Sequence, residues 1–122
     1  MINYNEKVQE HFCCSEFVGE LDITQCDVFF GSAGTYGGGD VVQFYIRLDK
    51  EKITEIKFKA HGSCATIAAA NWVSGKILNS TTIDAKKITW KEICDELNLP
   101  DTRRHSALLV IDALSTAILA GL

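Results

Sequence analysis

Two eight-residue runs of alternating apolar and polar side chains, joined by a short polar link, constrain this chain more than any other feature. In Val41 to Leu48, Val42, Phe44, Ile46 and Leu48 share one face, while Gln43, Tyr45 and Arg47 share the other. In Ile53 to Ala60, Ile56, Phe58 and Ala60 point one way and Glu55, Lys57 and Lys59 the other. A period of two is that of a strand with one buried face. The link Asp49-Lys50-Glu51-Lys52 closes the pair into an antiparallel hairpin. Its apolar face demands a cover.

The cover lies downstream. After Gly62 the period changes, and Ala65 to Leu78 reads as an alanine-rich helix with Ser63 as its N-cap. Thr89 to Leu97 forms a second helix, Thr89 and Glu92 making a capping-box pattern. Leu99-Pro100 breaks the chain, and a last helix runs from about Ser106 to the end. Its polar residues Asp112, Ser115 and Thr116 have i, i+3, i+4 spacing and line one wet stripe. Upstream, Tyr4 to Phe12 reads as a short helix with Tyr4, Val8, His11 and Phe12 on one face. Cys26 to Phe30 reads as a first strand, and the five glycines between Gly31 and Gly39 argue for irregular backbone after it. The order predicts an α+β fold over residues 1–122 as one domain: a small antiparallel sheet of about three strands with helices packed on one face.

Charge and cysteine usage exclude several classes. A formal net charge of -4 leaves no basic footprint for nucleic acid or an anionic membrane. The apolar stretch from Ala107 to Ala120 is shorter than the roughly 20 residues of a membrane span, and no secretory leader pattern opens the chain. Five cysteines (Cys13, Cys14, Cys26, Cys64 and Cys94) form no C-x-x-C pair and are odd in number, which fits a reducing cytoplasm. The segment Gly34 to Gly39 lacks the Lys-Ser/Thr ending of a phosphate loop and precedes a strand. No Ser-His-Asp order or carboxylate pair stands out, so no enzymatic turnover is expected.

Three stretches bring chemistry-bearing residues to strand and helix junctions: Gly37-Gly38-Gly39-Asp40, Gly62-Ser63-Cys64-Ala65-Thr66-Ile67-Ala68, and Leu99-Pro100 through His105-Ser106. Together with the opening Tyr4-x-Glu6-Lys7-Val8-x-x-His11-Phe12, Val18-Gly19, Phe58-Lys59-Ala60-His61-Gly62 and Gly75-Lys76, they resemble the IscU/NifU N-terminal family of iron–sulfur cluster scaffolds over nearly the whole chain. The resemblance implies a carrier that holds a 2Fe-2S cluster on three cysteine thiolates beside an aspartate or histidine. It also implies a cysteine desulfurase as sulfur source and a chaperone that reads a Leu-Pro-Pro-Val-Lys segment. Here Gly38, Ser63 and Ser106 stand at the cysteine positions, and Asp101, Thr102 and Arg103 replace the last three residues of the chaperone segment.

Asp40 and His105 remain as ligands, and Cys64 lies one residue beyond a matching position. Cys64 in the first turn of a helix is favoured as thiolate. With Asp40, His105 and His61 it would give a mixed S/N/O site suited to zinc or ferrous iron. Each has a plainer alternative: Cys64 packing beneath its helix, Asp40 stabilising a turn, His105 capping a helix. Three functions stay open on this reading: a divergent scaffold handling iron or sulfur, a degenerate interaction or regulatory module that holds zinc at most, and a persulfide relay through Cys64 or Cys13-Cys14. Cys94 is assigned to the core.

Overall fold

The computed structural model describes residues 16–34, 39–100 and 103–121. The helix expected over Tyr4 to Phe12, and with it Cys13, Cys14 and Gly38, lies outside them. Three strands, β1 (Val28–Gly34), β2 (Val41–Asp49) and β3 (Lys52–His61), form an antiparallel sheet in the order β1-β2-β3. Four helices follow: α1 (Cys64–Ile77), α2 (Thr82–Ala85), α3 (Trp90–Leu97) and α4 (Arg104–Ala120). They pack on one face of the sheet, as expected of the α+β arrangement.

The hairpin pairs as its alternation requires, and Val42, Phe44, Ile46, Leu48, Ile56 and Phe58 are buried beneath the helices. Ala60, expected inward, is half-buried at the end of β3. The link is tighter than four residues: Asp49 pairs with Lys52, leaving Lys50 and Glu51 as the loop, with Lys50 at φ 60. The register shifts between Arg47 and Leu48, and the extra residue on β3 lets Ile53 and Ile56 both face the core although three apart.

β1 corrects the sequence reading. It starts at Val28 and runs on to Gly34, through residues whose glycine content argued for irregular backbone. The glycine at position 31 serves packing instead. α4 crosses so close that a Cβ on Gly31 would collide with Ala117 N and Ala113 O and lie 2.7 Å from Ala117 Cα. Alanines at 113 and 117 bring the helix backbone onto the strand, and glycine is the residue that admits it.

The helices form where their caps predict. Ser63 and Thr89 cap α1 and α3, each side-chain oxygen accepting an N–H three residues on, from Thr66 and Glu92. α3 stops at Asn98, whose left-handed backbone (φ 52) lets Leu99 N–H reach Cys94 O at 2.8 Å. α4 begins at Arg104, two residues before the expected start, and keeps Asp112, Ser115 and Thr116 away from its buried stripe of Val110, Ala113, Leu114, Ala117 and Ile118. Cys94 is buried in α3. α2 was not expected, although Thr81 with Asp84 three residues on is a capping signal, and Thr81 accepts the Asp84 N–H.

Candidate functional site

The hairpin register builds one end of the molecule. Val41 pairs with His61, so Asp40, just before β2, and Gly62, just after β3, lie side by side. Asp40 Oδ1 accepts a hydrogen bond from the Ser63 N–H at 3.1 Å. Gly62 makes that approach possible in two ways. Its φ of +140 is strained for residues with a side chain, and a Cβ there would run into Asp40 Oδ1 and lie 2.7 Å from Asp40 Cγ. The carboxylate therefore sits at the start of α1, where free N–H groups and the helix dipole favour negative charge.

Ser63 is committed to the helix. Its Oγ accepts the Thr66 N–H at 3.3 Å and stands 3.1 Å from Thr66 Oγ1. Cys64, the first residue of α1, is half-buried and packs against the core. It has the first-turn position expected of it, and its packing against the core is the plainer of the two alternatives drawn for it, the other being metal ligation.

His105 arrives from the other side. It occupies the first turn of α4, with Nε2 3.9 Å from Asp40 Oδ2. The His105 side chain is 59% exposed, against 23% for Asp40, so the imidazole has room to turn while the carboxylate is held. Arg103 at the N-cap of α4 supplies no side-chain cap bond, and no acidic residue lies in the first turn of α1 or of α4. Two helix starts thus meet at one carboxylate.

The structure brings Asp40 and His105 together and sets Cys64 next to the residue Asp40 grips. It does not gather the three into a ready ligand set: among the described residues, no group of three His, Cys, Asp or Glu side chains is placed to hold a metal ion. His61 ends β3 opposite Val41 and lines a groove of about 320 Å³ on the outer face of the sheet with Val18, Val41, Gln43, Lys59 and Ala60. Ser106, in the first turn of α4, is fully buried, and its Oγ has no hydrogen-bond partner among the described residues. Cys26 is exposed in the segment before β1. Sequence reasoning missed Gly62 and the Ser63 N–H as the cradle of Asp40. The signal available was a glycine directly before an N-cap serine.

Comparison with known proteins matches the chain to a known family. Residues 3–120 match the family described as the NifU-like N terminal domain. The iron-sulfur cluster assembly scaffold protein IscU of Rickettsia prowazekii (strain Madrid E) is 38% identical over 116 residues, covering 94% of this chain and 88% of that protein. IscU of Haemophilus influenzae (strain ATCC 51907 / DSM 11121 / KW20 / Rd) is 37% identical over 120 residues, covering 94% and 92%. Among solved structures, a candidate iron-sulfur cluster assembly scaffold for the SUF system from Fervidobacterium islandicum AW-1 superposes with a TM-score of 0.77 at 20% identity, covering 94% of this chain and 96% of the other, a likeness of fold. With nearly its full length matched, the chain belongs to the NifU-like N-terminal domain family.

Proposed function

We propose that this chain works in iron–sulfur cluster assembly as a scaffold-type carrier, without turnover of its own, and that its metal-facing end is where Asp40 and His105 meet, with Cys64 next in sequence to the Ser63 that Asp40 grips. The observation that carries the reading is the Asp40 carboxylate held between the starts of α1 and α4 in a chain of this family. Asp40 and His105 give the end a harder donor character than three thiolates would, and the cargo is either a 2Fe-2S cluster or a single zinc or iron ion. A cysteine desulfurase is the expected sulfur source and a chaperone a second partner. A reducing cytoplasm suits a chain whose five cysteines form no C-x-x-C pair.

No described helix is long and apolar enough to cross a membrane. The reading is tested by titrating the chain anaerobically with Zn²⁺ and Fe²⁺ and by measuring its complex with a cysteine desulfurase. One ion per chain is expected, bound roughly tenfold or more weakly after Asp40→Ala or Cys64→Ser, in line with the loss of a ligand or its support. Affinities unchanged in both variants, together with no desulfurase complex, would refute it.

A further inference from the structure

We propose that residues 18–26 form a releasable strap on the outer face of the sheet, hinged at Phe17 and Asp27 and held shut by exposed polar contacts that open ahead of the rest of the fold.

The two ends are fixed. Phe17 packs against the core beside Gly75 of α1, and its carbonyl accepts the Phe58 N–H at 2.8 Å. Just before it, the Glu16 carbonyl accepts Lys57 Nζ at 2.7 Å. At the far end the Asp27 carboxylate accepts Arg47 Nη1 at 2.7 Å, and the Asp27 carbonyl accepts the Leu48 N–H at 2.9 Å, so the chain enters β1 already paired. Between these ends apolar burial does little. Val18 is 50% exposed and Ile23 62%, and only Leu21 is half-buried. Burial of apolar surface is the main favourable term in folding, and the strap takes a small share of it.

Polar contacts hold it instead. The Gly19 N–H donates to Phe58 O at 3.0 Å, Glu20 pairs with Lys59, and Gln25 Oε1 accepts Arg47 Nη2 at 2.6 Å. Lys59 of β3 and Arg47 of β2 both point outward, so the strap is tied to the sheet face that the helices leave uncovered. The Glu20 and Lys59 side chains are themselves about half exposed, and an ion pair so open to water is weak and screened by salt. The remaining bonds are internal to the strap: Asp22 Oδ1 accepts the Thr24 N–H and hydroxyl, and the Asp22 carbonyl accepts the Gln25 N–H. That turn survives lifting. Gly19 has a φ of +148, and a Cβ there would meet only Lys57 Cδ, at 3.7 Å, so the backbone has room to swing beside the anchored Phe17.

Opening changes two surfaces. The strap caps the middle of the outer edge of β3, where Phe58 directs its N–H and C=O away from β2. Lifting it uncovers the Phe58 carbonyl, and an uncovered strand edge is a template for pairing. Val18 is also one wall of the groove that reaches His61, next in sequence to the Gly62 that admits Asp40. The open state therefore widens access on the side of the molecule where Asp40 sits.

Native-state hydrogen exchange of the full chain, followed by NMR, tests the strap, because two bonds to one residue fall on opposite sides of the hinge. The Phe58 N–H is held by the anchor and the Gly19 N–H by the strap. Protection is taken relative to unstructured-chain rates at the same salt. At low ionic strength Gly19 is expected to be roughly tenfold or more less protected than Phe58. Raising the salt to about 1 M should lower Gly19 protection a further two- to fivefold or about that, with Phe58 unchanged. Glu20→Gln at low salt should lower Gly19 protection by a similar factor and remove most of the salt response, and unchanged Phe58 protection certifies that the variant is folded. Gly19 and Phe58 exchanging together, or a Gly19 rate that answers neither to salt nor to Glu20→Gln, would place the segment in the global folding unit and overturn the strap.

Discussion

Gly31→Ala should destabilise the protein by about 1–3 kcal/mol, the usual range for overpacking a filled site, and the sign is the test. A Cβ at position 31 would lie 2.7 Å from Ala117 Cα. Carbon atoms rest at roughly 3.5–4.0 Å, so α4 must lift by about 1 Å. The obstacles are helix backbone, and no side-chain rotamer can relieve them. The helix presents Val110, Leu114 and Ile118, all buried, to the core. Burial of each contributes roughly 1.5–3 kcal/mol, together about 5–9, and a gap of about 1 Å forfeits about a quarter to a half of the contact energy. The loss is about 1–4 kcal/mol before the gain of about 0.4–1 that alanine brings by restricting the unfolded chain.

Gly75→Ala is the matched reference. Its Cβ would meet a Phe17 ring carbon at 3.6 Å, an ordinary contact, inside α1. There the same substitution should stabilise by about 0.5–1 kcal/mol through helix propensity. Urea unfolding followed by far-UV circular dichroism reads both. With a slope of about 1–3 kcal/mol per molar, the Gly31→Ala midpoint falls by about 1 M while that of Gly75→Ala rises. If Gly31→Ala proves as stable as the native chain, or more so, α4 does not press on β1 and the account of the strand is wrong.

Gly62→Ala should push Asp40 off the Ser63 N–H, losing a charge-assisted bond of about 1.5–3 kcal/mol. In an Asp40→Ala background it should cost only the backbone strain, and a double-mutant cycle with no coupling between the two sites would contradict the cradle. Ser106→Ala removes a buried hydroxyl with no described partner and should raise stability by about 1 kcal/mol; a fall of similar size in thermal unfolding would mean that the hydroxyl is paired. The Asp22 carboxyl titrates below the ordinary carboxylate range because the Thr24 hydroxyl, and then the Thr24 N–H, donate to it. Its folded value is depressed, so its stabilising contribution is present above the unfolded pKa and lost as pH falls through the folded one. Thr24→Val should bring the Asp22 titration back up in a carbon-detected NMR experiment, and an unmoved curve would refute the assignment.

The fold was legible wherever a local signal and the tertiary structure agree. The hairpin announced itself by its period, and Ser63 and Thr89 marked helix starts that need only the next three residues to form. The strand β1 was expected, but its run from Gly31 to Gly34 was missed because composition describes backbone entropy, whereas the strand answers to α4, more than 80 positions later in sequence. The bulge beside Leu48 was hidden for a related reason: Ile53 and Ile56 break the alternation, and only the partner strand reveals the extra residue. Local chemistry predicts elements, and the distances at which elements approach are settled by small residues whose partners lie far along the chain.

The site divides along the same line. That Asp40 and Gly62 would be neighbours follows from pairing Val41 with His61, which the hairpin fixes. That Asp40 would grip the Ser63 N–H does not follow, since it depends on a glycine φ and on the space a Cβ would fill. The two serines at positions where the resemblance implies cysteine are also unlike each other: the cap at Ser63 was legible in sequence, the burial of Ser106 was not. Ser63 has gained an occupation: serine is among the preferred helix caps, and the hydroxyl ties down the first turn of α1. Ser106 has gained none among the described residues, and a buried thiol would sit there at less cost than a buried hydroxyl, because sulfur is the weaker hydrogen-bonding group. Serine at 63 therefore helps hold the fold together, whereas serine at 106 carries a penalty.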